Sequence, residues 1–140
     1  VRSDHYRYIR NYYLDRPLMQ PGYRDDRPPS MDMRRLFKAG ELTEYQAEHW
    51  FGVRPREELY DMDADPHQIN NLATLPDFQA ELLRHREVLE NWINDSDDQG
   101  QYSESDVQLR ATYELWKDRE IFKSADVNPE YSKFREASAN

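Results

Sequence analysis

One stretch constrains the fold more than any other: Phe78, Leu82, Leu89, Trp92 and Ile93 recur at spacings that keep them on one side of a helix. Pro76 at a first helical position, with Asp77 beside it, places the start, so the pattern predicts a helix over about 76–95. A helix with one apolar side needs a surface to cover. Two short runs rich in strand-forming residues supply it. Tyr6–Tyr12 reads as one strand, and Glu57-Glu58-Leu59-Tyr60-Asp61 as another. Ahead of the first, Asp4-His5 reads as a turn from a truncated strand. A sheet cut at Val1 is expected to leave an exposed edge and an apolar patch where a neighbour docked, which a stand-alone module would hide. The fold class is therefore α+β: a small antiparallel sheet packed against a long amphipathic helix. Leu59 with Tyr8 or Ile9 is expected to form core contacts across the strands.

Between the strands the chain reads first as loop, because Asp15-Arg16-Pro17, Gln20-Pro21-Gly22 and Arg27-Pro28-Pro29 all break regular structure. Two short helices follow in this insertion. Ser30 is the expected N-cap of one over Met31–Ala39, stopped by Gly40. Thr43-Glu44-Tyr45-Gln46 has the form of a capping box opening the other, to about Phe51. Beyond Asp97 the chain is polar; residues 107–122 are expected to be helical, with Leu109, Tyr113 and Trp116 on one side. The domain reading is a subdomain over 1–100 and an extension over 101–140.

Apolar residues make up 37% and charged residues 34%, a balance suited to a small domain leaning on a neighbour. The absence of cysteine excludes disulfides, thiolate metal sites and cysteine nucleophiles. No apolar run is long enough to span a membrane. Charge is uneven: residues 1–40 hold nine Lys and Arg against five Asp and Glu, while the rest hold ten against twenty-three. That acidic bulk argues against nucleic acid as a partner, and leaves the basic opening as the part suited to an anionic ligand.

The stretch Arg54–Ala73 carries an E-L-Y-D strand followed by Asp65-Pro66-His67-Gln68-Ile69-Asn70-Asn71-Leu72-Ala73, and upstream stands Tyr6-Arg7-Tyr8-Ile9-Arg10-Asn11-Tyr12. Together with the helix running to Trp92, these resemble the C-terminal region of sulfatases, in the branch of the N-sulfoglucosamine sulfohydrolases. Asp65-Pro66 fixes a turn, and Asn70 and Asn71 suit hydrogen bonds to local backbone. The resemblance implies a parent enzyme that hydrolyses sulfate esters or sulfamates on a sulfated glycan, with calcium and a formylglycine as its cofactors. It implies a catalytic domain of the same polypeptide as partner, and a periplasmic, secreted or lysosomal setting. The formylglycine arises from a C/S-x-P/A-x-R motif. Ser30-Met31-Asp32-Met33-Arg34 departs from it at Asp32, so no catalytic residue is expected in this chain and no cofactor of its own.

Other motifs read more simply as structure. Asp97-Asp98-Gln99-Gly100 is a helix-terminating turn. Asp61-x-Asp63-x-Asp65 lacks the Gly and Glu that a calcium loop needs, having Pro66 and Leu72 there. The four histidines show no zinc spacing; Glu81 and His85, one turn apart, are expected on a solvated face. The remaining site is basic: Arg7, Arg10, Arg16, Arg24, Arg27, Arg34 and Arg35 offer guanidinium groups that pair with sulfate in fork geometry. Tyr13 and Tyr23 add rings that stack on sugars. Arg10, Arg16, Tyr23 and Arg24 are the candidate substrate-binding residues. The rival reading is a stand-alone, non-enzymatic module that binds an anionic partner through this loop.

Overall fold

The computed structural model describes residues 1–20, 26–119 and 129–134. The chain divides into two compact units, Val1–Tyr12 with Pro55–Ser103, and Tyr13–Arg54 with Glu104–Asn140.

In the first unit, β1 (Tyr6–Arg10) pairs antiparallel with β2 (Glu57–Asp61), Tyr8 opposite Leu59 and Arg10 opposite Glu57. The strand stops short of Tyr12. Asn11 still donates its amide hydrogen to Arg56 O, but the next partner in register would be Pro55, which has none to give. The stub ahead of the Asp4-His5 turn is present: Arg2 bridges Arg7. Alternation puts Tyr6, Tyr8, Arg10, Asp61, Leu59 and Glu57 on one face, and Arg7, Ile9, Tyr60 and Glu58 on the other. On that second face the buried Glu58 carboxylate accepts from Asn11 Nδ2 at 2.7 Å and from the Tyr60 hydroxyl at 2.6 Å.

The long helix packs on the first face. A 3-10 turn at Pro76–Phe78 leads into α3, Gln79–Ser96. Tyr8, Leu59, Ala73 and Leu82 form the buried cluster, with Val1, Tyr6, Leu72, Phe78 and Leu89 against it. Of the two residues open as core partners for Leu59, Tyr8 is buried and Ile9 only half so. Trp92 departs from expectation, being 54% exposed. Leu82 and Leu89 lie in the cluster, whereas Trp92, although within about 20° of the bearing of the buried His85, stands two turns further along the helix, beyond the residues that cover it. The helix ends at Asp97, which takes a left-handed φ of 52°, and Gly100 N–H then folds back on Asp98 Oδ1.

In the second unit, α1 (Pro28–Ala39) begins three residues before the expected start at Met31. Its N-cap is Arg27, not Ser30, and no side chain caps it. Pro28 and Pro29 fill the first turn, where a missing N–H leaves no helical bond unmade, so a pair that reads as loop opens a helix. Gly40, at φ 69°, closes α1. The capping box at Thr43 opens α2 (Glu44–Phe51), and the Phe37 and Phe51 rings stack at 3.9 Å. Helix α4 (Asp106–Trp116) also has a capping box, Ser105 with Gln108, which the sequence reading passed over. Its Leu109 and Tyr113 are buried with Phe134, and Trp116 packs beside them as expected. The helix stops at Trp116, short of the expected 122, and residues 120–122 lie outside those described.

Candidate functional site

Among the described residues, the candidate arginines Arg10 and Arg16 are already engaged. In the first unit Arg10 Nε donates to the Tyr8 hydroxyl at 3.1 Å, and Nη2 donates to Glu90 Oε1 at 3.0 Å. Its side chain is 18% exposed. Arg7 reaches Gln68 Oε1 at 2.8 Å. In the second unit Arg16 Nε donates to Asp15 Oδ1 at 2.9 Å, Nη1 lies 3.5 Å from Glu130, and the guanidinium sits 4.3 Å above the Tyr13 ring. Arg34 is buried, giving Nη2 to Met19 O at 3.1 Å. Arg27 and Arg35 are exposed beside Asp26 and Asp32. Tyr23 and Arg24 lie outside the described residues.

The densest polar network was not anticipated. Glu57, at the start of β2, accepts from the Tyr8 hydroxyl and from Arg86 Nε, each at 2.6 Å, while Arg86 Nη2 takes the other carboxylate oxygen. The fork from Arg86, then Tyr8, hold the Glu57 carboxyl below its ordinary value, and burial opposes them. The reciprocal pressure falls on Tyr8, whose hydroxyl is pushed up by burial and then by its bond to Glu57. A depressed carboxylate stabilises the fold above its ordinary value of 4.5, and that contribution fades as pH falls through the lower folded value. Glu57→Gln is therefore expected to cost about 1.5–3 kcal/mol at pH 7. Urea midpoints should show the gap to the parent closing as pH drops below 4.5.

His85 corrects the expectation of a solvated face, for it is 1% exposed. Its ring lies edge-on to Tyr6 at 6.2 Å and tilted to Tyr8 at 6.4 Å. Nδ1 is 3.0 Å from Glu81 O and 3.1 Å from Glu81 Oε1, and Nε2 is 3.2 Å from Ser3 Oγ. Serine, histidine and carboxylate thus fall in the order of an activated nucleophile. The Ser3 oxygen is occupied, however: it accepts from Tyr6 N–H at 3.1 Å and donates to Tyr6 O at 3.3 Å. The arrangement clasps α3 to the opening turn. His85 stands three residues after Leu82 and four before Leu89, a spacing that marks a core position.

The acidic turn after β2 is likewise committed to backbone. Asp61 Oδ1 accepts from the amides of Asp63 and Ala64, and Asp65 Oδ2 from those of Ile69 and Asn70. These carboxylates do not fit a calcium ion, and among the described residues no three His, Cys, Asp or Glu side chains gather as metal ligands. Ser30, the nearest serine to a formylglycine motif, lies in the first turn of α1. Among the described residues no helix is long and apolar enough to cross a membrane.

A two-stranded sheet clasped to one long helix bears the E-L-Y-D strand and the Asp65–Ala73 turn. Comparison with known proteins shows what the chain is similar to. The chain is 34% identical over 108 residues to an ulvan-active sulfatase from Formosa agariphila, a match covering 76% of the chain. It is 33% identical over 96 residues to the N-sulphoglucosamine sulphohydrolase of Homo sapiens, covering 66%. The chain carries a region of the sulfatase family, and a C-terminal region fits both matches. Each match spans 18% of the relative's length. No family model matches.

Proposed function

We propose that the chain is the C-terminal portion of a hydrolase that cleaves sulfate esters or sulfamates on a sulfated glycan, and that it completes the fold without supplying the reacting groups. The observation that carries this reading is the match to the two sulfatases, one named for ulvan and the other for N-sulphoglucosamine. The resident calcium and formylglycine of such an enzyme belong to the rest of the polypeptide, as does the catalytic domain on which this portion rests. The purified 140-residue chain is expected to give no turnover of a chromogenic sulfate ester above buffer, and the longer protein to turn it over. Turnover by the chain alone would sink the reading. Inactivity of both would leave the field to an anion-binding module.

The basic loop is the part of this chain suited to the substrate entrance. Arg16 is the better of the two described candidates, because its partners Asp15 and Glu130 are carboxylates that a sulfate can replace in the same fork geometry. Arg10 is tied into the Tyr8–Glu57 network, where withdrawal would break packing. In the longer enzyme Arg16→Ala should raise KM for a sulfated oligosaccharide with kcat little changed. An unchanged KM would remove Arg16 from the site.

A further inference from the structure

Arg2 and Arg7 stand directly opposite each other, on the face of the sheet away from α3. Tyr8 N–H donates to Val1 O at 2.8 Å and Ser3 N–H to Tyr6 O at 2.9 Å, so the backbone bonds flank this pair rather than join it. Such a pair is the closer of the two kinds in an antiparallel ladder, with Cα atoms about 4.5 Å apart. Like charges set opposite each other there work against the fold. The chain has 28 Asp and Glu against 19 Lys and Arg, so carboxylates are not scarce. Arg10, Arg16, Arg84 and Arg86 each meet one. Among the described residues, neither Arg2 nor Arg7 does.

What Arg7 meets instead is a neutral amide. Its Nη1 donates to Gln68 Oε1 at 2.8 Å, and among the described residues the Gln68 Nε2 hydrogens meet no acceptor. Gln68 has a left-handed φ of 56°, which side chains other than Asn and Asp seldom adopt. Asp65 holds it there. Its carbonyl accepts from Gln68 N–H at 3.0 Å, and its Oδ2 accepts from the amides of Ile69 and Asn70. The turn thus spends backbone strain to bring up a side chain that orients Arg7 and leaves both positive charges standing.

We propose that Arg2, Arg7 and the Gln68 amide form a binding site for one oxyanion, a sulfate or a carboxylate. Two guanidinium groups on one face offer paired donors in fork geometry, and the amide adds a neutral donor beside them. The anion's own charge removes the repulsion across the pair. The same chemistry has two sources: a sulfate, free or borne on a sugar, and an acidic side chain elsewhere in the longer protein. The site lies wholly in the first unit and makes no use of Arg16.

The test is a titration of the 140-residue chain with sodium sulfate, followed through the NMR signals of the arginine Nε–H groups. Sodium chloride at matched ionic strength is the reference. The Arg2 and Arg7 signals should follow saturating curves in sulfate and hold still in chloride, while Arg84, exposed and paired with Glu81, should not respond. Arg2→Gln and Arg7→Gln should each weaken sulfate binding by about tenfold or more. In sulfate-free buffer their urea midpoints should match or exceed the parent's, because a repulsion has gone. A lower midpoint makes the pair structural and overturns the proposal, as does a response that is linear and alike in both salts. The same titration of the longer protein separates the sources. Signals that still titrate assign a soluble sulfate, and signals already at the sulfate-bound position and indifferent to sulfate assign an acidic side chain. Signals at the free position that ignore sulfate overturn the site. None of these readouts depends on turnover, so the sulfatase reading stands or falls apart from them.

Discussion

Leu59→Ala is expected to destabilise the fold by about 2–5 kcal/mol, the range for emptying a fully buried leucine site. Leu59 has no exposed surface. It lies opposite Tyr8 across the strand pair and in the same cluster as Leu82 and Ala73, so one side chain joins both strands, the turn and the helix. The cavity has little means of collapse, because Tyr8 is fixed at its far end by Glu57 and Arg10. A whole domain is stable by only about 5–15 kcal/mol, so the loss is a large share of what holds the unit folded. Urea titration of both proteins measures it. Leu59→Val should cost less, and Val53→Ala, at a residue 74% exposed, should fall within about 0.5 kcal/mol of the parent.

Residues whose role is set by periodicity are legible in the sequence. Leu82 and Leu89 give the buried side of α3, and the strand at Glu57–Asp61 falls where its composition places it. Three misreadings have physical reasons. Trp92 reads as core because apolar character and spacing are visible, but spacing does not show how far along the helix its covering residues reach. Pro28-Pro29 reads as loop because proline breaks helix interiors, while the first turn tolerates it. His85 reads as surface because its polarity outweighs its spacing, yet each ring nitrogen finds a partner inside. The candidate site was less legible. A count of arginines shows where positive charge lies, but not that Glu130 and Glu90 come back to meet it from other parts of the chain. The Glu57–Arg86 pair, 29 residues apart, has no local signature at all.

Asn71→Ala is expected to cost about 2–4 kcal/mol, because one side chain closes the far edge of the sheet. Its Oδ1 accepts from both Leu59 N–H and Ala73 N–H at 3.0 Å, and its Nδ2 donates to Glu57 O at 3.0 Å. Leu72 N–H adds a bond to Leu59 O at 2.8 Å. The asparagine thereby does for β2 what a third strand does elsewhere, offering donor and acceptor at strand spacing while the chain turns toward α3. Truncation leaves two amides and a carbonyl without partners beside the buried cluster, and water reaches them only if the turn lifts off Leu59. The loss should therefore appear first as faster amide exchange at Leu59 and Ala73, ahead of global unfolding. Asn71→Asp keeps the acceptor and loses only the donor to Glu57 O, so it should keep the protection of both amides and cost less than alanine. If alanine and aspartate were equally damaging, the carbonyl bond to Glu57 rather than the two amides would hold the edge, and the turn after β2 would owe its place to Leu72 packing instead.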